Sequence, residues 1–278
     1  MLVRRPKKKS WLSGGAIHVS LPGFSPSSLS PAAWWEAATS TMYKSNAGSG
    51  AAPTANGDVI GYVTDLSGNG FDLTSVADDS TRPTLNGVGV HPYFTFDAAT
   101  QYLKRGAALD LYNAAGGFSM FFAVKAHGNY LSRSLYSEGK NASNPLLSYL
   151  QNDGTTSTTG TCFWRDNSGT IIVNLATDFA ITNAYPSPAT DTVVGMTYDG
   201  STSILGYVNQ SQVGSFTLTR GTISGLTQTA LGVLWRTSTT GYFGDRIYAG
   251  VIVKGSVLSS GNRTSLITYL GNLAGLTI

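Results

Sequence analysis

Only two glutamates, Glu36 and Glu138, occur in the chain, against 13 aspartates. Carboxylate-driven sugar cleavage needs a pair of acids flanking the scissile bond, and on a strand such a pair falls at alternate positions, where side chains share a face. Neither glutamate has a carboxylate two or four residues away, and the two are 102 residues apart. Most of the aspartates sit beside Gly, Asn, Ser or Thr, the setting in which an Asp carboxylate bonds its own turn backbone. Cys162 is the one cysteine and lies in the apolar stretch TCFWR. An intrachain disulfide and a Cys-rich zinc site are therefore excluded, and an inert buried thiol is expected. His18, His91 and His127 lack metal-ligand spacing. No Gly-x-Ser-x-Gly elbow occurs, and GNG at 68–70 opens no helical pattern that would cradle a phosphate. These residues describe a protein that is not an enzyme, with no metal site in its motifs.

The elements that would carry them are short and glycine-punctuated. Charged residues make up 12% of the 278 and hydrophobic residues 41%, and no run approaches the roughly 18 apolar residues of a membrane span. The net charge of +3 is uneven, because Arg4, Arg5, Lys7, Lys8 and Lys9 lie in the first nine residues. Without them 13 cations face 15 acids, so the body is slightly acidic and a basic nucleic-acid groove across it is not expected. Residues 1–30 combine this basic run with GFSPSSLSP and read as an extended arm. The stretch SWLSGGAIHV after the basic start is too broken for a secretory signal.

From Trp34 onward, short apolar stretches recur between turn signals, the pattern of an all-β sandwich. VIGYV at 59–63, YFTF at 93–96, FSMFFAVKA at 118–126, TVVGMTY at 192–198, ALGVLW at 230–235 and RIYAGVIVK at 246–254 each read as a strand. Asp166-Asn167-Ser168-Gly169 and Asp199-Gly200-Ser201-Thr202 read as hairpin turns. Near the end, Leu258, Leu266, Ile267 and Leu270 fit a helical stripe, capped by Ser259 or Ser260 and ending at Gly271.

Six segments in order carry a resemblance: LSPAAWWEAA at 29–38, VTDLSGNGFDLT at 63–74 with RPTL at 82–85, FTFDAATQYL at 94–103, FSMFFAVK at 118–125, VVGMTYDGSTSILGYVNQSQVGSF at 193–216, and YFGDRIYAGVIVKGSVLSSGNRTSLITYLGN at 242–272. Together they resemble the laminin-G-like, concanavalin A-like lectin and glucanase jelly roll, in the form found in tailed-phage virion proteins. The family's usual Trp-x-Asp-Ala in the first strand is Trp35-Glu36-Ala37 here. The resemblance implies an antiparallel β-sandwich jelly roll over 31–278, with the N-terminal arm before it, a strand at 34–38 and a short C-terminal helix. It also implies a rim position for Asp65, Asp199 and Asp245, the candidates for a calcium ion of the kind some laminin-G-like domains hold.

Function follows from the same two parts. The arm, with Arg4, Arg5, Lys7, Lys8, Lys9 and Trp11, is expected to anchor the protein to other virion proteins of a capsid or tail. The jelly roll is expected to face outward, with a host surface glycan as candidate ligand. Among aromatics in or beside turns, Tyr130, Tyr136, Trp164, Tyr185, Trp235 and Tyr242 are candidates for exposure. Trp164, Tyr185, Trp235 and Tyr242 are taken as the ligand-binding set, because exposed rings stack on sugars. The class implies assembly in the host cytoplasm, a homo-oligomer and no membrane partner. The alternatives are a bacterial polysaccharide-binding or polysaccharide-cleaving module, and a generic adhesion domain.

Overall fold

The computed structural model describes residues 23–76, 79–126, 133–152, 158–174, 178–187 and 189–278. The arm residues Arg4, Arg5, Lys7, Lys8, Lys9 and Trp11, and the candidate Tyr130, lie outside these. Two large antiparallel sheets face each other. The first runs Ser211–Thr217, Ser203–Val208, Asp191–Tyr198, Phe118–Ala126, Gly244–Lys254, Tyr93–Asp97, Thr84–Asn86, Asp58–Val59. Gly244–Lys254 is long enough to serve two partners on one edge. Its first half pairs with Tyr93–Asp97 and its second half with Ala33–Glu36. The second sheet runs Ile171–Val173, Gly160–Arg165, Leu146–Asn152, Ser134–Gly139, Gln228–Leu231, Leu103–Arg105, Leu73–Thr74, Tyr62–Val63, Met42–Tyr43. The expected all-β sandwich is the observed fold.

The central strand Phe118–Ala126 explains its own composition. Phe118, Met120, Phe122 and Val124 point between the sheets, while Phe121 and Ala123 point to the opposite face. That second face is roofed by the helix Ser260–Leu273 through Leu266, Ile267, Leu270 and Leu273. A strand buried on both sides reads as a continuous apolar run rather than an alternating one. The Ser259 hydroxyl accepts from the Asn262 N–H at 3.3 Å and caps the helix. The helix continues past the expected stop at Gly271, and left-handed Gly275 (φ 74°) follows its end.

Two further expectations are corrected. Packed structure begins before Pro31: Phe24 and Leu29 join the cluster beneath the helix, and Phe24 meets Tyr269 edge-on at 6.1 Å. VIGYV is two short strands in different sheets, Asp58–Val59 and Tyr62–Val63, with the crossing at Ile60-Gly61. The first strand, Ala33–Glu36, forms where the resemblance placed it.

Asp65 fastens that strand to the following turn. Its Oδ1 accepts from the Trp34 and Ser67 N–H groups, both at 2.9 Å, and its Oδ2 from the Phe71 N–H at 2.9 Å and the Ser67 hydroxyl at 2.5 Å. Asn69 adds a bond from its amide to the Pro31 carbonyl at 2.8 Å. Asp65→Ala leaves three backbone donors without their acceptor. It is expected to destabilise the fold by about 3 kcal/mol, read as a lower urea midpoint at unchanged slope; a midpoint equal to wild type would contradict this role.

Candidate functional site

The four ligand-binding candidates divide sharply. Trp164 and Tyr185 are fully buried. Trp164 sits among Tyr112, Tyr149 and Tyr198 with centroids 5.4–5.7 Å away. Tyr185 gives its hydroxyl to the Leu150 carbonyl and packs on Phe243, and burial pushes its phenol far above the usual range. Tyr136 is likewise core, against Trp35, Phe122 and Tyr149. The expectation that these rings are exposed is corrected. Along Gly160–Arg165, Cys162 and Trp164 take the inward positions, which leaves Phe163 and Arg165 outward.

Trp235 and Tyr242 are only half-buried, and the fold brings them together on the outer face of the second sheet. ALGVLW looks like one strand, but Gly232 takes φ 85° and breaks it into Gln228–Leu231 and Leu234–Trp235. Left-handed backbone of this kind favours glycine. The Gly232 N–H reaches the Leu135 carbonyl at 2.8 Å, and its carbonyl accepts from the Phe243 N–H at 2.9 Å. Between these ties the chain lifts off the sheet as a small hairpin, Leu234–Trp235 against Thr239–Thr240. Ser137 pins it from below, donating to the Val233 carbonyl at 2.8 Å and accepting from the Trp235 N–H at 3.3 Å. Gly139 makes room beneath: a Cβ there would lie 2.9 Å from the Trp235 carbonyl oxygen.

Two residues that sequence reasoning missed complete the group. Tyr102 and Lys104 flank inward-facing Leu103, so both lie on the outer side of the sheet, Tyr102 buried beneath its neighbours and Lys104 partly exposed. The Tyr102 and Tyr242 rings lie 6.1 Å apart, and the Lys104 ammonium rests 5.1 Å from the Trp235 ring and 5.9 Å from that of Tyr102. The Tyr242 hydroxyl shares a 2.5 Å hydrogen bond with Thr239. The signal available in sequence was the alternation Tyr102-Leu103-Lys104, hidden because the strand is only three residues long.

The same face continues to Phe163, whose ring carries the Arg165 guanidinium at 4.8 Å. The arrangement offers aromatic surface, hydroxyls and cations, the materials of sugar stacking and hydrogen bonding.

Among the described residues the remaining acids do not assemble a centre. Asp97 and Asp245 share a polar hollow of about 370 Å³ with Lys125 and Arg246. Burial raises the Asp97 carboxyl, but the N–H groups of Thr100, Ala99 and Gln101 outweigh it and hold the group below the usual range. It is therefore ionised at neutral pH and unsuited to giving up a proton. Asp245 pairs with Arg246 at 3.3 Å. Asp199 accepts from the N–H groups of Ser201, Thr202 and Ser203 at 2.8–3.0 Å. Asp65 is occupied as described, and among the described residues no three His, Cys, Asp or Glu side chains converge on a metal position. Asp65, Asp199 and Asp245, the alternative rim positions for a calcium ion, do not converge on one another. Cys162 is buried, and that burial lifts its thiol well above the usual range.

No protein-family model matches the chain, and no curated protein matches it. Solved structures do resemble it. The CBM40 domain of a Ruminococcus gnavus IT-sialidase shares 14% identity at TM-score 0.45, covering 56% of this chain and 84% of that one. Domain 4 of AbnA, a GH43 extracellular arabinanase from Geobacillus stearothermophilus solved with arabinotriose, shares 16% at TM-score 0.47, covering 73% and 92%. A structure titled as a receptor binding domain shares 12% at TM-score 0.52, covering 75% of this chain and 48% of that one. At 12% identity the likeness to the last of these, the one of the three with a TM-score above 0.5, shows the sandwich fold alone.

Proposed function

We propose that this protein is a non-enzymatic component of a bacteriophage virion, held on the particle by its N-terminal arm and displaying a glycan-binding face on the sandwich. The observation that carries the glycan reading is the Tyr102, Lys104, Trp235 and Tyr242 cluster on the outer side of the second sheet, where the break at Gly232 lifts the hairpin of Trp235 over strand Leu103–Arg105. The virion reading rests on the sequence, with five cations in nine residues before a Pro, Ser and Gly-rich stretch. One feature of the fold supports joining the two. The described chain enters at Phe24 and Leu29 beneath the C-terminal helix, on the outer face of the first sheet. The aromatic cluster is on the outer face of the other sheet, so the described residues that follow the arm do not cover the binding face.

Trp235→Ala removes the largest ring of the cluster from a half-buried position. It is expected to weaken binding to any glycan recognised on an array by about tenfold or more, with little change in melting temperature. Undiminished binding would remove this face from the account. Deleting residues 1–22, short of packed Phe24, is expected to leave a folded protein missing from purified particles by mass spectrometry. Incorporation of the truncated protein would refute the anchoring role.

A further inference from the structure

Resting on the glycan reading above, we infer that the ligand is an acidic glycan, one whose rings carry carboxylates, and that Lys104 is the residue that selects it. The strands Leu103–Arg105, Ser134–Gly139, Leu146–Asn152, Gly160–Arg165 and Gln228–Leu231, with the hairpin Leu234–Trp235 and Thr239–Thr240 above them, contain a single carboxylate, Glu138. It is fully buried and faces the core, where it accepts from the Asp110 and Leu111 N–H groups at 3.0 Å each. None of these strands therefore turns a carboxylate outward, and Asp72, which flanks the neighbouring strand Leu73–Thr74, is engaged by the Tyr62 hydroxyl, while Lys104, Arg165 and Arg236 stand on this part of the face or in its hairpin.

These cations are not spent on protein carboxylates. The ion pairs among the described residues join Lys44 to Asp58, Arg82 to Asp79 and Arg246 to Asp245. Lys104 instead lies against two aromatic faces, and Arg165 against Phe163. Arg236 gives one N–H to the Ser143 carbonyl at 3.4 Å, and the Nε atoms of Arg165 and Arg236 are buried without a protein acceptor.

An ammonium lying on Trp235 and Tyr102 is held in place by the rings and keeps donors for a ligand. A sugar ring that stacks beside it presents its substituents at the level of that ammonium. A neutral hydroxymethyl group would gain one ordinary hydrogen bond there, whereas a carboxylate gains a charge-assisted one in a site partly shielded from water. A polyanionic chain passing from Trp235 toward Phe163 and Arg165 crosses strands Gln228–Leu231, Ser134–Gly139, Leu146–Asn152 and Gly160–Arg165, none of which turns a carboxylate outward.

The test uses the full chain on a panel of uronate-bearing and sialate-bearing oligosaccharides, each paired with its carboxyl methyl ester, which keeps the ring and removes the charge. The free acids are expected to bind at least tenfold more tightly than their esters, and to weaken between 50 and 300 mM salt as screened charge contacts do. Lys104→Met, which keeps the aliphatic stem, is expected to weaken the acid much more than the ester, so that the two bind alike. Lys104→Arg is expected to keep the preference, which separates loss of charge from misfolding. Equal binding of acid and ester, or hits confined to neutral glycans, would overturn the acid selection and leave the glycan face standing. Acid preference unchanged in Lys104→Met would overturn the role of Lys104. Binding of neither acids, esters nor neutral glycans by the wild-type chain would overturn both readings.

Discussion

Gly195→Val is expected to destabilise the protein by on the order of 3 kcal/mol or more, and Gly250→Val to do the same, so that little of either accumulates as soluble protein. Both glycines lie opposite aromatic rings of the central strand, Gly195 across from Phe121 and Gly250 across from Phe122. A Cβ on Gly195 would stand 2.0 Å from Cδ1 of Phe121, and one on Gly250 2.2 Å from Cε1 of Phe122. Neither ring has anywhere to go. Phe121 is fully buried in the cluster beneath the helix and against Tyr207, and Phe122 is fully buried between the sheets against Tyr136. The two substitutions thus overpack opposite faces of one strand. Gly261→Ala is the control: it lies in the first turn of the helix with open space around it, and alanine there is expected to be neutral or slightly stabilising. Urea unfolding of the three variants checks the set; Gly195→Val within about 1 kcal/mol of wild type would mean that the register of the central strand is wrong.

The second large effect concerns Glu138 and pH. Burial pushes its carboxyl from 4.5 up to about 7, against the opposing pull of the Leu111, Leu109 and Asp110 N–H groups. The folded protein therefore holds this proton across a range in which the unfolded chain has released it. The stabilisation is fully present below about pH 4.5 and is lost as pH rises through about 7. At roughly 1.4 kcal/mol per pH unit, the loss is on the order of 3 kcal/mol. Surface aspartates act in the opposite sense: hydrogen bonding holds Asp58, Asp97, Asp166 and Asp199 below the usual range, so their contribution disappears in stronger acid. Wild-type melting temperature is expected to peak on the acid side of neutrality and to fall between pH 5 and pH 7.5. Glu138→Gln, which cannot ionise, is expected to be less stable at pH 5, where its amide meets one of the two N–H donors, and to lose the decline toward pH 7.5. A melting temperature that rises over this range in wild type, or an unchanged decline in Glu138→Gln, would contradict the assignment.

The sequence shows the sandwich because its strands are punctuated by turn residues at regular intervals and because the central strand is too apolar to have a wet face. It shows the C-terminal helix because Leu266, Ile267 and Leu270 keep a helical spacing. The site was legible only in part. Trp235 and Tyr242 lie near glycines that mark a departure from the sheet, and for these two the expected partial exposure is what the structure has. The same criterion fails for Trp164 and Tyr185, whose burial is set by which way a strand faces and by the second sheet behind it, and neither is written in local sequence. Tyr102 and Lys104 were hidden because a three-residue strand is too short to show its alternation. The two glutamates illustrate the limit differently: scarcity argued against catalysis, but only the packing shows both buried, with Glu36 accepting from the Tyr269 hydroxyl at 2.6 Å and Glu138 holding the loop at Asp110.

The central claim is that the outer face of the second sheet, under the hairpin at Trp235, is where the protein meets a glycan. Backbone amide and indole N–H spectra of the labelled protein, titrated with the tightest glycan from the array, test it most directly. The account predicts that the shifts concentrate in Tyr102–Arg105, Gln228–Leu231 and the segment from Leu234 to Tyr242, with the Trp235 indole moving most. Shifts that spare these residues and gather instead around the Asp97 and Asp245 hollow, or along the helix Ser260–Leu273, would contradict it.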